Sequence, residues 1–186
     1  MIPTAKQIKV LWDTYHLPDA KRNHCDLVST VALFFAHALR ARHYELNTEL
    51  LHAAALLHDI DKSIPQMPGQ RHPHGAVHIL GNAGFEEVAH VVKTHPLHAI
   101  LDETIAPKTW EEKLLYLADK MVKQRVVGVD GRFALWRAEN LPPQAVAELD
   151  AAYPKVKELE KEISENCGFA PEDVTNIVAE GILRKS

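Results

Sequence analysis

A histidine next to an aspartate, at the end of an apolar stretch, is the part of this sequence best suited to chemistry. His58 and Asp59 follow residues 50–57, where every position except His52 is Leu or Ala. A helix of that composition is buried, and an unpaired carboxylate within it costs several kcal/mol unless a bound cation compensates it. If the helix instead ends at His58, its polar residues reach water. The pair alone leaves both interpretations open.

Two further histidines lie on apolar helical faces. At about 100° per residue, His24 shares a face with Val28 and Val31, and His95 shares a stripe with Val88. A single histidine in such a position can also be an ordinary core residue that is satisfied by hydrogen bonds. Neither position decides the matter by itself.

A second carboxylate, Asp119, is embedded between Leu115 and Val122 on another helical segment. Two histidines and two aspartates from four segments then point inward, and iron and manganese accept such a mixed set of nitrogen and oxygen ligands. Four separate core residues would leave several buried polar groups without partners, which native cores rarely tolerate. The set therefore predicts a centre for a divalent metal.

A second ion would need additional ligands, and His72 and His74 lie close to the His-Asp pair along the chain. Asp59 could then bridge two ions about 3.5 to 4 Å apart, an arrangement suited to in-line displacement at phosphorus. The alternative is a solvated loop with ordinary histidines.

The elements that position these residues are predicted to be helices, because apolar residues recur at helical spacing and no segment alternates like a strand. We expect an all-α bundle in a single domain over residues 1–186, with a core over about 20–126 and a C-terminal helical extension over about 132–186. The Gly-rich stretch from Gly128 to Gly131 predicts a loop. The predicted helices are 4–15, 20–43, 48–60, 73–83, 85–95, 108–123, 132–139, 142–166 and 171–184.

Composition limits the choice of partners. The formal charge of -4 offers no attraction to polyanions, so we expect no stable nucleic-acid complex. This charge does not exclude binding of a small anionic ligand. No apolar run is long enough for a membrane helix, the first residues lack the features of a signal peptide, and the 2 cysteines suit a reducing compartment. These features predict a cytoplasmic protein without a membrane partner. The amphipathic helix over 142–166 packs on the core or on a second subunit, which leaves a homodimer open.

In this order, the residues resemble the HD superfamily of metal-dependent phosphohydrolases, and the likeness covers residues of about 20 to 126. The superfamily pattern has a histidine on an early helix, a His-Asp pair, further histidines and a late aspartate. The resemblance implies one or two divalent ions, with iron or manganese favoured and cobalt, nickel, zinc or magnesium as alternatives. It assigns the first ion to His24, His58, Asp59 and Asp119, and the second to His72, His95 and a bridging Asp59.

The sequence is also similar to bacterial HD hydrolases that cleave diadenosine tetraphosphate. The shared features are the His-Asp-x-x-Lys motif from His58 to Lys62, a histidine shortly before Gly75, and Arg125 six residues after Asp119. Because His72 lies one residue closer to Gly75 than in that pattern, His74 is an alternative ligand.

The function implied is hydrolysis of a phosphoester or phosphoanhydride bond in a nucleotide-type or other phosphorylated small molecule by a metal-activated water. Asp59, Lys62 and Arg125 are the predicted catalytic residues. Lys62 and Arg125 would also hold the phosphates, with His74 and His98 as further residues at the substrate.

Two other classes of function stay open. An HD-type di-iron oxygenase uses similar ligands but requires dioxygen for turnover. A catalytically silent nucleotide-binding module would keep the fold without needing metal.

Overall fold

This computed structural model describes residues 1–66 and 68–183, and the apolar periodicity of the sequence is realised there as a series of helices. Over these residues no strand forms, and Val122 and Val126 make an isolated antiparallel bridge. The all-α prediction is therefore confirmed. The helices are α1 (Ala5–Thr14), α2 (Asp19–Ala41), α3 (Thr48–Leu57), α4 (His74–Asn82), α5 (Glu86–Lys93), a 3₁₀ helix (Leu97–Leu101), α6 (Trp110–Met121), α7 (Gly128–Arg137), α8 (Pro143–Cys167) and α9 (Val174–Leu183).

Local capping sets the starts of the two helices that lead to the carboxylates. The Asn47 side chain accepts a hydrogen bond from Leu50 N at 3.0 Å, which caps α3. At the start of α6, Thr109 Oγ1 accepts from Glu112 N, and the Glu112 carboxylate accepts from Thr109 N in return. These caps set the register that places Asp59 just beyond α3 and Asp119 near the end of α6.

The core lies between the helices that carry the predicted metal ligands. Helix α2 packs against α3 and α6, α3 also packs against α5, and α4 packs against α5. Phe35, Leu57 and Leu115 are completely buried at these contacts. As its composition predicts, α3 is buried on nearly every side, so its carboxyl end delivers His58 and Asp59 to the interior.

The C-terminal helices close over this core, with α8 packing against α6, α7 and the 3₁₀ helix, and α9 against α2 and α7. The loop predicted for residues 128–131 is wrong, because α7 already begins at Gly128. Val129 and Phe133, one turn apart, are both completely buried, and this burial extends the helix toward its N-terminus. Gly128 takes a φ of +72°, which lets the chain turn into α7.

Residues 184–186 lie outside the described residues. They are the end of the predicted C-terminal extension, and residue 184 is also the end of the last predicted helix. Among the described helices, none is both long and apolar enough to cross a membrane.

Candidate metal centre

Five segments of the chain bring the six predicted ligands to one place. Helix α2 carries His24, α6 carries Asp119, and the residues that directly follow α3 are His58 and Asp59. The other two histidines stand just before α4 and just after α5, at positions 72 and 95. Helix ends and buried helical faces, both set by packing, therefore position these side chains.

On one side of the cluster, two imidazoles face the Asp119 carboxylate. His24 Nε2 lies 3.1 Å from Asp119 Oδ1, and His58 Nε2 lies 3.6 Å from the same oxygen. One ligand atom from each of these three residues falls within 4.8 Å of the others. This group forms a first candidate subsite.

On the other side, the Asp59 carboxylate meets three imidazoles. Asp59 Oδ1 lies 3.8 Å from His58 Nε2 and 3.4 Å from His72 Nε2. His72 Nε2 is in turn 2.8 Å from His95 Nε2. His58, Asp59 and His95 also bring ligand atoms within 4.8 Å of one another, so His58 belongs to both groups.

All four imidazoles use Nδ1 for an outer hydrogen bond and turn Nε2 toward the two aspartates. A carbonyl or carboxylate oxygen can only accept, so each Nδ1 donates to its outer partner, and a ring that is neutral in this tautomer offers the lone pair of Nε2 to a metal. Outer partners of this kind orient metal-binding histidines. The acceptors are Lys123 O for His24 at 3.3 Å, Ala55 O for His58 at 2.7 Å, Asp61 Oδ1 for His72 at 2.7 Å, and Val92 O for His95 at 2.6 Å.

This donor set fits a divalent transition metal. His58 Nε2 is buried and has no hydrogen-bond partner among the described residues. An ion about 2.1 Å from each ligand atom keeps those atoms about 3 to 4 Å apart. The distances from the histidine Nε2 atoms to the two carboxylates, 3.1 to 3.8 Å, fall in this range, and His72 Nε2 and His95 Nε2 are closer, at 2.8 Å. Imidazole nitrogens combined with carboxylate oxygens suit iron, manganese and related metals.

Comparison with known proteins identifies the family. Residues 22–123, more than half of the chain, match the family model described as HD domain. The chain belongs to the HD domain family. This family consists mostly of metal-dependent hydrolases that bind divalent ions, and the matched region contains all six predicted ligands.

A relative of this HD protein is an uncharacterized protein of Methanocaldococcus jannaschii, which is 33% identical over 110 residues. The alignment covers 53% of this chain and 64% of the relative, so the chain spans less than two thirds of that protein's length. No solved structure matches the chain.

The two carboxylates of the HD centre stay ionised despite their burial. Burial by itself raises the pKa of Asp59, but the charge on His58 and the nearby Lys62 and Lys21 outweigh it and lower the pKa. Burial likewise opposes ionisation of Asp119, and its neighbours, chiefly the Lys120 ammonium, bring its pKa well below the usual range. A pair of buried carboxylates is thus available as anionic ligands.

The histidines divide into two electrostatic types. For His58, burial lowers the pKa, but Cys25, Asp59 and Asp119 outweigh burial and raise it well above the usual value. For His95, burial and the neighbouring His72 lower the pKa well below that value. A proton on His58 therefore offsets the carboxylates, and a divalent ion would compete with this proton.

Lysines surround the carboxylates. Lys21 Nζ lies 2.9 Å from Asp59 Oδ2, and Lys62 Nζ lies 3.8 Å from Asp59 Oδ1. Lys120 is only 2% exposed, and its Nζ donates to Asp119 Oδ2 at 2.7 Å. It also donates to the backbone oxygen of residue 95 at 2.5 Å, which links two of the ligand-bearing segments.

A cavity of about 350 Å³ opens onto the centre. His58 is buried beneath it, whereas the other five predicted ligands line it. Polar and aromatic side chains from several helices complete the wall, including Lys21, Lys62, Lys120, Lys123, Gln124, Arg132 and Trp136.

Three of the predicted substrate-binding residues do not line this cavity. Arg125 is exposed and lies outside its lining, and His98 is half-buried and also outside it. His74 is exposed and lines a second cavity, with its Nδ1 donating to Arg71 O at 2.7 Å. Lys62 is the predicted phosphate-binding residue that the structure places at the cavity.

Sequence reasoning missed several residues of the cavity. Lys21 precedes His24 by one helical turn on α2, so helical spacing could have identified it. Lys120 directly follows Asp119, but its inward direction depends on packing. Arg132 and Trp136 come from α7, and no local pattern connects that helix to the cavity.

Asp61 acts on the centre through His72. Its side chain is completely buried, and Oδ1 accepts the Nδ1 proton of His72 at 2.7 Å. A Cβ added at Gly75 would lie 2.8 Å from Asp61 Cβ and 3.1 Å from Asp61 Oδ2, so only glycine allows α4 to approach this closely. Asp61 therefore lies between the first turn of α4 and the imidazole that it orients.

Proposed function

We propose that this HD protein is a hydrolase that cleaves a phosphoester or phosphoanhydride bond in a nucleotide-type small molecule, with one or two divalent ions as cofactor. The observation that carries the proposal is the arrangement of four imidazoles around Asp59 and Asp119, each held at Nδ1 and each directing Nε2 inward. Such orientation is what a ligand shell requires.

The ligands divide into two sets that share Asp59. We assign the first ion to His24, His58, Asp59 and Asp119, and the second to His72, His95 and the bridging Asp59. Iron and manganese are the favoured metals, because the set mixes imidazole with carboxylate and contains no thiolate. When bound, such ions supply a nucleophile by lowering the pKa of water and neutralise charge on the phosphoryl oxygens.

The chain's own side chains account for binding and orientation. Lys21 and Lys62 approach Asp59 from the cavity side and are in position to hold phosphoryl oxygens. Lys120 fixes Asp119 from behind through its 2.7 Å hydrogen bond. Lys120 is buried, so its charge acts in a medium of low dielectric constant, whereas Lys21 and Lys62 are partly exposed and can reach a substrate that enters from solvent.

Dinucleoside polyphosphates are the first substrates to test, because of the likeness to the hydrolases that cleave diadenosine tetraphosphate. Arg125 stays a predicted phosphate ligand that would have to reach the substrate from outside the cavity. Small phosphorylated substrates also suit a cavity of about 350 Å³. A homodimer stays a prediction.

The test combines elemental analysis of the purified protein with a substrate screen. Diadenosine tetraphosphate, nucleoside phosphates and cyclic nucleotides are assayed for phosphate-bond cleavage with iron, manganese, cobalt and nickel. Asp59→Ala is compared with His37→Ala, which removes an exposed histidine of α2. We expect Asp59→Ala to lose more than the roughly 100-fold that removal of an outer partner costs, and His37→Ala to keep full activity.

Other outcomes would replace the proposal. Turnover that consumes dioxygen would indicate the di-iron oxygenase. A protein isolated without metal, whose nucleotide binding and stability survive the double change His58→Ala and Asp59→Ala, would indicate the silent binding module.

A further inference from the structure

The wall of the cavity that comes from α7 carries an arginine stacked on a tryptophan. The Arg132 guanidinium carbon lies 4.2 Å from the centre of the Trp136 ring, and both side chains line the cavity that opens onto the HD centre. This contact limits the motion of the guanidinium and reduces the entropy that it loses when it binds a ligand. Neither residue belongs to the proposed ligand set.

Arg132 differs from three lysines near the carboxylates because two of its buried donors have no partner among the described residues. Lys21 and Lys62 are paired with Asp59, and Lys120 is paired with Asp119. Arg132 Nε and Nη1 are buried, yet they have no hydrogen-bond partner in the part of the chain that the structure describes.

This arrangement is costly in the free protein. A buried donor without an acceptor costs about 1 to 3 kcal/mol, and more when the donor is charged. Burial also lowers the pKa of Arg132, whereas Asp119 and Asp59 oppose that shift without forming an ion pair with it. Costs of this kind persist at sites where a ligand supplies the missing partner.

We propose that Arg132, held in place by Trp136, forms an anion subsite for a phosphate or carboxylate of the substrate other than the phosphoryl group under attack. The inference rests on the proposed function, because the attacked group belongs beside Asp59 and Asp119, and Lys21 and Lys62 already stand next to Asp59. A guanidinium presents a planar set of donors to such an anion. Arg132 thereby selects substrates that carry a second anionic group.

The test measures binding of inorganic pyrophosphate and orthophosphate by calorimetry to the protein as purified. The variants are Arg132→Met, Arg132→Lys and the control Arg40→Met, which removes an exposed arginine at the far end of α2. Arg132→Met is expected to weaken pyrophosphate binding about 10-fold or more, Arg132→Lys by less, and Arg40→Met not at all. Equal pyrophosphate affinity in wild type and Arg132→Met, or no binding by wild type, overturns the subsite.

Thermal unfolding separates a binding role from a structural one. Without added anion, Arg132→Met should unfold at the wild-type temperature or above it, because the variant no longer buries unpaired donors. Added pyrophosphate should raise the unfolding temperature of wild type more than that of Arg132→Met. Lower stability of both Arg132→Met and Arg132→Lys without anion would make Arg132 a structural residue and overturn the proposal.

Failure of this inference differs from failure of the proposed function. Pyrophosphate binding is read without turnover, so its loss in Arg132→Met stands even if no substrate is hydrolysed. Conversely, the assays can show metal-dependent hydrolysis that disappears in Asp59→Ala, while Arg132→Met binds pyrophosphate like wild type. That result supports the proposed function and removes only the subsite.

Discussion

Asp61 lines one cavity and accepts a hydrogen bond from His72, which lines another, and the larger of these two cavities has fewer features of a metal site. The cavity at the HD centre measures about 350 Å³, and the second, lined by Asp61, His74 and His78, about 610 Å³. Among the described residues, two groups of three side chains bring candidate ligand atoms close together. Both groups lie at the smaller cavity. Histidine content and volume therefore do not make a metal site, whereas convergence of oriented side chains does.

The contrast is sharpest between His72 and His74, which only Pro73 separates. His72 Nδ1 donates to the buried Asp61 carboxylate, and this bond turns Nε2 toward Asp59. His74 Nδ1 donates to a backbone oxygen of its own turn, and its ring is exposed. The direction of each ring follows from its outer hydrogen-bond partner.

Replacing His72 and His74 separately is the strongest test of this difference between them. His72→Ala is expected to weaken binding of manganese or iron by more than about 100-fold, because a direct ligand should cost more than an outer partner. His74→Ala is expected to leave the affinity within about threefold of wild type, since its ring points into the other cavity. Calorimetric titration of both variants with manganese measures the difference, and equal losses would contradict it.

A smaller effect is expected from Asp61→Asn, which keeps the shape and the acceptor of Asp61 but removes its charge. His72 then binds metal with a less basic imidazole, so metal affinity should fall about 10-fold, the lower limit for outer partners. The same titration provides the measurement. Wild-type affinity in Asp61→Asn would show that the charge of Asp61 does not reach the centre.

Two glycines of α4 test how closely that helix must approach Asp61. In Gly75→Ala the new Cβ meets Asp61, so we expect a loss of about 1 to 3 kcal/mol in the free energy of unfolding and a several-fold loss of metal affinity. In Gly81→Ala a Cβ meets nothing within 4 Å, and the helix should gain about 0.5 to 1 kcal/mol. Urea unfolding of both variants decides the matter, and equal changes would argue against the contact.

The smallest effect concerns His98, just outside the centre. Burial and the charges of Arg71 and Lys120 lower the pKa of His98 to about 4, from about 6.5 in a free histidine. Between these values the unfolded chain binds the proton more tightly, so His98 lowers stability as the pH falls from about 6.5 to about 4.

His98→Asn should therefore lose less stability than wild type over that pH range, by under about 1 kcal/mol because the side chain is half exposed to solvent. Urea unfolding at several pH values measures the two slopes. The exposed His37→Asn serves as control and should follow wild type. Parallel curves for His98→Asn and wild type would remove His98 as a source of acid sensitivity.

The helices and the residue types of the metal ligands could be predicted from the sequence pattern. The 3.6-residue periodicity is a local property, so the all-α fold followed from it. The caps that the structure shows at Asn47 and Thr109 are local as well. The inward faces of His24, His95 and Asp119 could be argued for the same reason, because a helix repeats its geometry and an apolar stripe marks the buried side.

Packing between distant segments decided the rest. Which of His72 and His74 turns toward Asp59 depends on Asp61, which lies across a loop, and the start of α7 depends on burial of Val129 and Phe133. Lys120 and Arg132 reach the cavity only because α6 and α7 pack together beside it. A repeating pattern in the sequence indicates which side of a helix is buried. The direction of a histidine in a loop, or of a long lysine or arginine side chain, depends instead on residues that are distant in sequence.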